Sequence, residues 1–248
     1  MTKTMEGKTA LVTGCSGTIG RAIALSLAER GANIVVHYGA REKEARSVAK
    51  EIESRDAKAL VARANVAIFQ EVQLMFEECI LSFGQIDILV NCASGHRSGK
   101  VHKIPIEDFD MVVKSSLYGT FYCCRTILPG MIERGWGRIV NISSLAGEHG
   151  YPGDSAYASG KAGLIAFTKS LSKEIARFGI TANIVIPGFI PSETTKTLKE
   201  KNIEGIRSAI PMGRFGKPEE VAEVVTFLIE KGEYITGSIY HVDGGLTN

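Results

Sequence analysis

Seven short runs rich in β-branched residues alternate with longer helical segments from one end of the chain to the other, and that alternation leaves few folds open. The runs are KTALVT (8–13), ANIVVHY (32–38), KALVARANV (58–66), IDILVNCA (86–93), GRIVNIS (137–143), ITANIVI (180–186) and SIYHV (238–242). Each is apolar on both faces, as strands buried in a parallel sheet must be. Between them lie RAIALSLAERG, REKEARSVAKEIESR, EVQLMFEECILSFG, the long segment Ile106 to Arg134, SAYASGKAGLIAFTKSLSKEIARFG and PEEVAEVVTFLIEKG. Gly31, Gly84 and Gly179 follow periodic segments as C-cap residues, and Pro218 marks the start of the last helix. The pattern predicts one doubly wound α/β domain over residues 1–248, with a mostly parallel seven-stranded sheet and helices on both faces.

Composition narrows what such a domain does. The 248 residues are 44% hydrophobic and 23% charged, which excludes disordered and collagen-like classes. The net charge is +2 and the basic residues are scattered, so no nucleic-acid partner is expected. Five cysteines without CxxC spacing suit a reducing compartment. MTKTMEGK lacks an apolar signal region, and the uncharged stretch Ile180 to Ser192 is too short to span a bilayer. A soluble, cytoplasmic protein with no membrane partner is the expectation. The histidines show no metal-ligand spacing, so no metal is expected.

The stretch TGCSGTIG, Thr13 to Gly20, joins the first strand to the first helix. At that place in an α/β sheet, free backbone N–H groups and the positive helix end bind a dinucleotide pyrophosphate. Gly14 lets the chain turn, Gly17 lets a phosphate approach, and Gly20 lets the helix pack against the strand. A glycine-rich loop alone is weak evidence; its position after the first strand gives it weight. The second strand ends VVHYGAR with no acid before Glu42, so a ribose 2′-phosphate is tolerated. His37 and Arg41 stand nearby, and Arg41 can pair with that phosphate. NADP is expected, with NAD possible. Cys15 reads either as a thiol activated by the helix end or as a small residue that fits.

In SAYASGKAG, Tyr157 and Lys161 stand four apart and share a helix face. A tyrosine with a pKa near 10 is a poor acid or base at neutral pH, and a neighbouring ammonium is expected to lower it. Ser144, at the end of the fifth run, is placed to hold a carbonyl oxygen.

Together the TGCSGTIG turn, NCAS (91–94), Ser144, YASGK (157–161), PGFI (187–190) and VDGG (242–245) resemble the short-chain dehydrogenase/reductase family over Gly7 to Gly245. That resemblance implies a Rossmann-type domain in which Tyr157 is the general acid in ketone reduction. Lys161 would bind the nicotinamide ribose and Ser144 orient the carbonyl. It implies cofactor contacts from Gly14, Ser16, Gly17, Thr18, Ile19 and Gly20, from Tyr157 and Lys161, and from Pro187, Gly188, Ile190 and Ser192. Asn65, Val66 and Asp87 would shape the adenine pocket, and Asn91 and Ala93 would line the cofactor. Subunit assembly into a homotetramer or homodimer, through two long helices and the last strand, follows as well.

The departures from that family are specific. Thr18 replaces the middle glycine of the turn, and Gly17 stands where many reductases carry arginine. NNAG has become NCAS. Ser116, in SLYG, aligns with the family's catalytic asparagine, which puts the proton relay through that residue in question. Substrate choice is expected from Ser94 to Lys103, Gly147 to Asp154 and Phe189 to Ile210. His96, Arg97, Lys100, His102 and Lys103 make the first of these basic, which suits either a solvated loop or an anionic substrate. Arg134, Arg138, Lys173 and Arg177 are candidates for docking an acidic carrier protein. The chain is most similar to 3-oxoacyl-carrier-protein reductases. The leading expectation is reduction of a small-molecule ketone, a 3-oxoacyl thioester on acyl carrier protein or CoA. Alternatives are a dehydrogenase of a sugar, polyol or other small alcohol, and a non-catalytic dinucleotide sensor.

Overall fold

A computed structural model describes residues 3–191 and 200–247. Its elements run β1 (Thr9–Val12), α1 (Thr18–Glu29), β2 (Asn33–Tyr38), α2 (Glu42–Glu53), β3 (Ala59–Arg63), α3 (Phe69–Phe83) and β4 (Ile88–Asn91). They continue with α4 (Ile106–Val113), α5 (Gly119–Arg134), β5 (Gly137–Ile142), α6 (Ala146–His149), α7 (Ser155–Ile175), β6 (Ile180–Pro187), α8 (Glu200–Ala209), α9 (Pro218–Glu230) and β7 (Ile239–Val242). All seven expected strands form. They make one sheet in the order β3-β2-β1-β4-β5-β6-β7, and every pairing is parallel.

The pleat sorts each strand between two cores. Ala10 and Val12 of β1, Ile34 and Val36 of β2, and Ile88 and Val90 of β4 pack under α1, α2 and α9. Leu11, Val35 and Leu89 face the opposite way, onto α3, α5 and α7. A strand with apolar neighbours on both sides cannot show alternation, which is why these runs read as continuous. Helix α1 is buried almost all round because it lies between the sheet and α9, where Ser26 and Thr226 hydroxyls meet at 3.1 Å.

The long segment Ile106 to Arg134 is helical throughout but not regular. Between α4 and α5 the residues Lys114–Tyr118 form a π-helical turn, which contains Ser116. Such turns insert one residue and re-aim side chains, often at functional sites. The strand order reverses between β1 and β4. The carboxyl ends of those two strands therefore splay apart and leave a crevice above the sheet.

Candidate active site

The glycine turn forms one wall of that crevice. Gly14 has φ +74°, and a Cβ there would press on the Ala93 backbone at 3.0 Å. A Cβ on Gly20 would collide with the Gly14 carbonyl, so α1 starts this close to β1 only with glycine at both positions. The turn is tied to both neighbouring strands. Thr13 Oγ1 accepts from the N–H groups of Cys92 and Ala93, each at 3.0 Å. On the β2 side, the Cys15 N–H donates to the His37 carbonyl and the Gly14 N–H to His37 Nδ1, both at 3.0 Å.

Helix α1 has no side-chain cap and no acidic residue in its first turn. Among the described residues, the N–H groups of Thr18, Ile19 and Gly20 have no backbone acceptor, and all three residues line the cleft. Three open donors at the positive end of a helix are an anion site, and they fit the pyrophosphate of a dinucleotide. Arg41 lies at the outer end of the same wall. It is exposed, forms no ion pair among the described residues, and brings Nη2 within 3.5 Å of the position a Gly17 Cβ would take. Arg41 also lines an adjoining recess with Ser16, Arg21, Ser47 and the acids Glu44 and Glu219. Arg21 is already paired with Glu51 at 2.5 Å.

The far wall carries the polar side chains of β5 and α7. Ser144, just beyond β5, lies within hydrogen-bonding reach of Tyr157, and that contact pulls the phenol's pKa down. Burial pushes it up by more, with the Cys92 thiol and Asp154 adding to the rise, so the net direction is upward. Lys161 is 3% exposed, donates from Nζ to the Ile142 carbonyl at 2.7 Å, and sits 5.8 Å from the Tyr157 ring centroid. Burial brings its pKa down to about 8. The expectation that the ammonium lowers the phenol's pKa is therefore corrected. The lysine is close, but loss of water dominates both groups.

The crevice gathers Gly14, Gly17, Thr18, Ile19, Gly20, Arg41, Ala93, Ser144, Tyr157, Pro187, Gly188 and Ile190 along one lining. Ser94 and Pro191 join them from two of the segments expected to choose the substrate, together with Cys92 and Ser143, which the sequence had not marked for a role there. Ser143 fastens α7 to β5 by donating to the Lys161 carbonyl at 3.0 Å. His96 belongs to the basic segment expected to choose the substrate, without a role of its own. Its ring stands edge-on to Tyr157 with centroids 5.1 Å apart, and Nε2 meets Asp154 at 3.1 Å.

Other expected site residues lie elsewhere. His37 is 1% exposed and has both ring nitrogens engaged within the protein, so it is beneath the turn rather than beside a phosphate. Asn91 is buried and donates to Asn141 Oδ1 at 2.8 Å, away from the cleft. Asn65 and Val66 follow β3 on the cleft side of the sheet but do not line the cleft. Asn65 Oδ1 accepts from the Ala67 N–H, and Val66 packs under Gly119. Ser116 is 1% exposed, and its hydroxyl pairs with that of Ser94 at 2.8 Å. Ser192 lies outside the described residues.

Two further expectations fail because they fall at the wrong end of the strands. Asp87 precedes β4, takes the Thr9 N–H at 3.0 Å and lies near Lys8, opposite the crevice. Arg138, at the start of β5, is buried over Trp136 and donates to the Gly137 and Gly179 carbonyls. Arg134 is spent on the Ile86 carbonyl. These two arginines are structural and form no docking patch beside the cleft. Cys15 is fully buried, and its thiol is pushed far up by burial, so it is the small residue that fits. Among the described residues no group of three or more His, Cys, Asp or Glu side chains could hold a metal ion. Among them, too, no helix is long and apolar enough to cross a membrane.

Residues 14–247 match a family described as enoyl-(acyl carrier protein) reductase. Curated relatives extend the likeness over nearly whole chains. A 3-oxoacyl-(acyl-carrier-protein) reductase of Staphylococcus aureus is 41% identical over 240 residues, covering 96% of this chain and 98% of its own. Proteins of that same name from Aquifex aeolicus and Synechocystis are 43% and 40% identical over 244 residues, covering 98% of both chains in each case.

Proposed function

Because the chain belongs to the short-chain dehydrogenase/reductase family, we propose that it reduces the ketone of a 3-oxoacyl thioester to the 3-hydroxyacyl form. The observation that carries the chemistry is the adjacency of two hydroxyls, Ser144 and Tyr157, at one end of a cleft whose other end holds three open helix N–H groups. A reduced nicotinamide, when bound, supplies the hydride for the carbonyl carbon. The protein's part is to receive the charge that hydride addition creates on oxygen. Ser144 orients the carbonyl oxygen by hydrogen bond, and the Tyr157 O–H gives its proton to that oxygen as the C–O double bond becomes single. Lys161 stands behind the phenol, and its fixed bond to Ile142 leaves further N–H donors for a ribose.

The name of the matched family speaks of an enoyl substrate, in which a carbon accepts the proton. Two hydroxyls converging on one point suit a carbonyl oxygen better, and the relatives' printed names favour the same assignment. NADPH is the cofactor we assign. Arg41, a cation with no ion-pair partner among the described residues, stands at the end of the wall, and no acid takes the place of a ribose-hydroxyl acceptor at the end of β2. A carrier-bound acyl group is the substrate form that the relatives suggest. We also assign assembly of two or four copies, supported by Tyr118 and Phe121 exposed along the long helical segment; sedimentation equilibrium reads it, and a monomer sinks it.

The test is one panel that follows NADPH and NADH oxidation with acetoacetyl thioester, crotonyl thioester, sugars and simple ketones. Turnover of the acetoacetyl thioester with NADPH is the expected result. Activity confined to crotonyl thioester or to sugars overturns the substrate assignment. Tight dinucleotide binding without turnover of any of them overturns the enzymatic reading.

A further inference from the structure

His37 is a buried titratable side chain that the chemistry above does not use. It lies in β2, under the glycine turn, with both ring nitrogens engaged at 3.0 Å. Nε2 faces the Ala64 carbonyl, an acceptor only, and Nδ1 faces the Gly14 N–H, a donor only. One species satisfies both: the neutral imidazole with its proton on Nε2 and a lone pair on Nδ1. The next residue of the turn, Cys15, is held by the His37 backbone carbonyl. One residue of β2 thus holds two consecutive amides of the turn that precedes α1.

We infer that His37 is a positioning residue for dinucleotide binding, setting the Gly14–Cys15 backbone from below so that the first-turn N–H groups of α1 face the cleft. The inference rests on the reading of that cleft as a dinucleotide site. Gly14 needs this help because glycine adopts a φ of +74° only as one among many accessible values, so the residue itself does not fix the turn. Its N–H is also directed away from any phosphate, into the protein, where an acceptor must be supplied. His37 supplies it, and Ala64, the first residue beyond β3, fixes the ring's tautomer. The chain from β3 to the turn therefore runs Ala64 carbonyl, imidazole, Gly14 N–H, each link a hydrogen bond whose direction the previous one sets.

Two variants separate positioning from plain stability. In His37→Asn the amide oxygen falls near the place of Nδ1 and still accepts from Gly14, while the reach to Ala64 is lost. In His37→Gln the amide nitrogen falls near the place of Nε2 and still donates to Ala64, while Gly14 loses its acceptor. Fluorescence titration with NADPH, together with thermal unfolding of the ligand-free chain, reads both. The expected result is a dissociation constant within about threefold of wild type for His37→Asn, and weakened roughly tenfold or more for His37→Gln, as for an amide left without its partner. Native affinity in folded His37→Gln overturns the inference, whatever its melting temperature. Equal weakening in both variants, tracking the loss of stability, overturns it as well. A wild-type chain that binds neither NADPH nor NADH overturns the dinucleotide reading and this inference with it.

Discussion

Acidification should destabilise the chain through one imidazole, and the size of the effect follows from where that imidazole sits. His37 titrates near 6.5 in an unfolded chain, and burial brings its pKa down to about 4 in the folded one. The unfolded state therefore binds the proton first. Stability is complete above about pH 6.5 and is lost as the pH falls from there through 4. At pH 4.5 the unfolded imidazole is almost wholly protonated, whereas only about a quarter of the folded population is. Between pH 7 and 4.5 the difference amounts to about 2 kcal/mol from this residue alone. Carboxylates titrate over the lower part of the same range, so the assay compares wild type with His37→Gln, which keeps every other group. Urea unfolding of both proteins at pH 7, 6, 5 and 4.5 gives the difference in stability as a function of pH. It should move by about 2 kcal/mol towards the variant on acidification. A difference that stays flat over that range would refute a neutral, desolvated imidazole under the turn.

Two further outcomes follow from the walls of the cleft. Tyr157→Phe should lower ketone reduction by about two to four powers of ten and leave the NADPH dissociation constant within a few-fold of wild type, since only the proton donor is removed. Stopped-flow turnover beside fluorescence titration checks it, and a mild loss of rate would remove Tyr157 from the acid's role. Arg41→Ala should weaken NADPH binding by roughly tenfold to a hundredfold, as for a charge-assisted contact of about 1.5–3 kcal/mol, with NADH little changed. Equal losses for both cofactors would show that the guanidinium does not read the 2′-phosphate.

How much of this was legible in the sequence depends on which end of a strand a residue occupies and which way the pleat turns it. The strands were legible because burial on both faces writes apolar residues, many of them β-branched, at successive positions. Ser144, Tyr157 and Lys161 were legible as a motif. Asp87 and Arg138 were misplaced even though they stand at the starts of parallel strands, and a site at the carboxyl ends cannot include them. His37 was misplaced for another reason. A histidine at a strand's end looks solvated, yet in IVVHY period two puts it on the face of Val35, which is fully buried. The π-helical turn at Lys114–Tyr118 is hard to see in periodicity, because one inserted residue turns the later positions by about 100°, no more than the width of a helix's apolar stripe.

Electrostatics at the lysine and tyrosine bear on the direction in which the site works. A phenol held above its ordinary pKa keeps its proton throughout the neutral range, which is the state a donor needs for ketone reduction. Lys161 is the group that changes charge within reach of physiological conditions, since burial brings its pKa down to about 8. Below that value an ammonium stands behind Tyr157 and can donate to a ribose; above it the charge is gone. The kcat/KM for NADPH, which reports the free protein, should therefore be flat from about pH 6.5 to 7.5 and decline as the pH rises through about 8. In Lys161→Arg, whose guanidinium does not titrate, affinity is lower through altered geometry, but this decline should disappear from the profile. A wild-type profile that stays flat to pH 9.5, or an unchanged decline in Lys161→Arg, would assign the titration to some group other than this lysine.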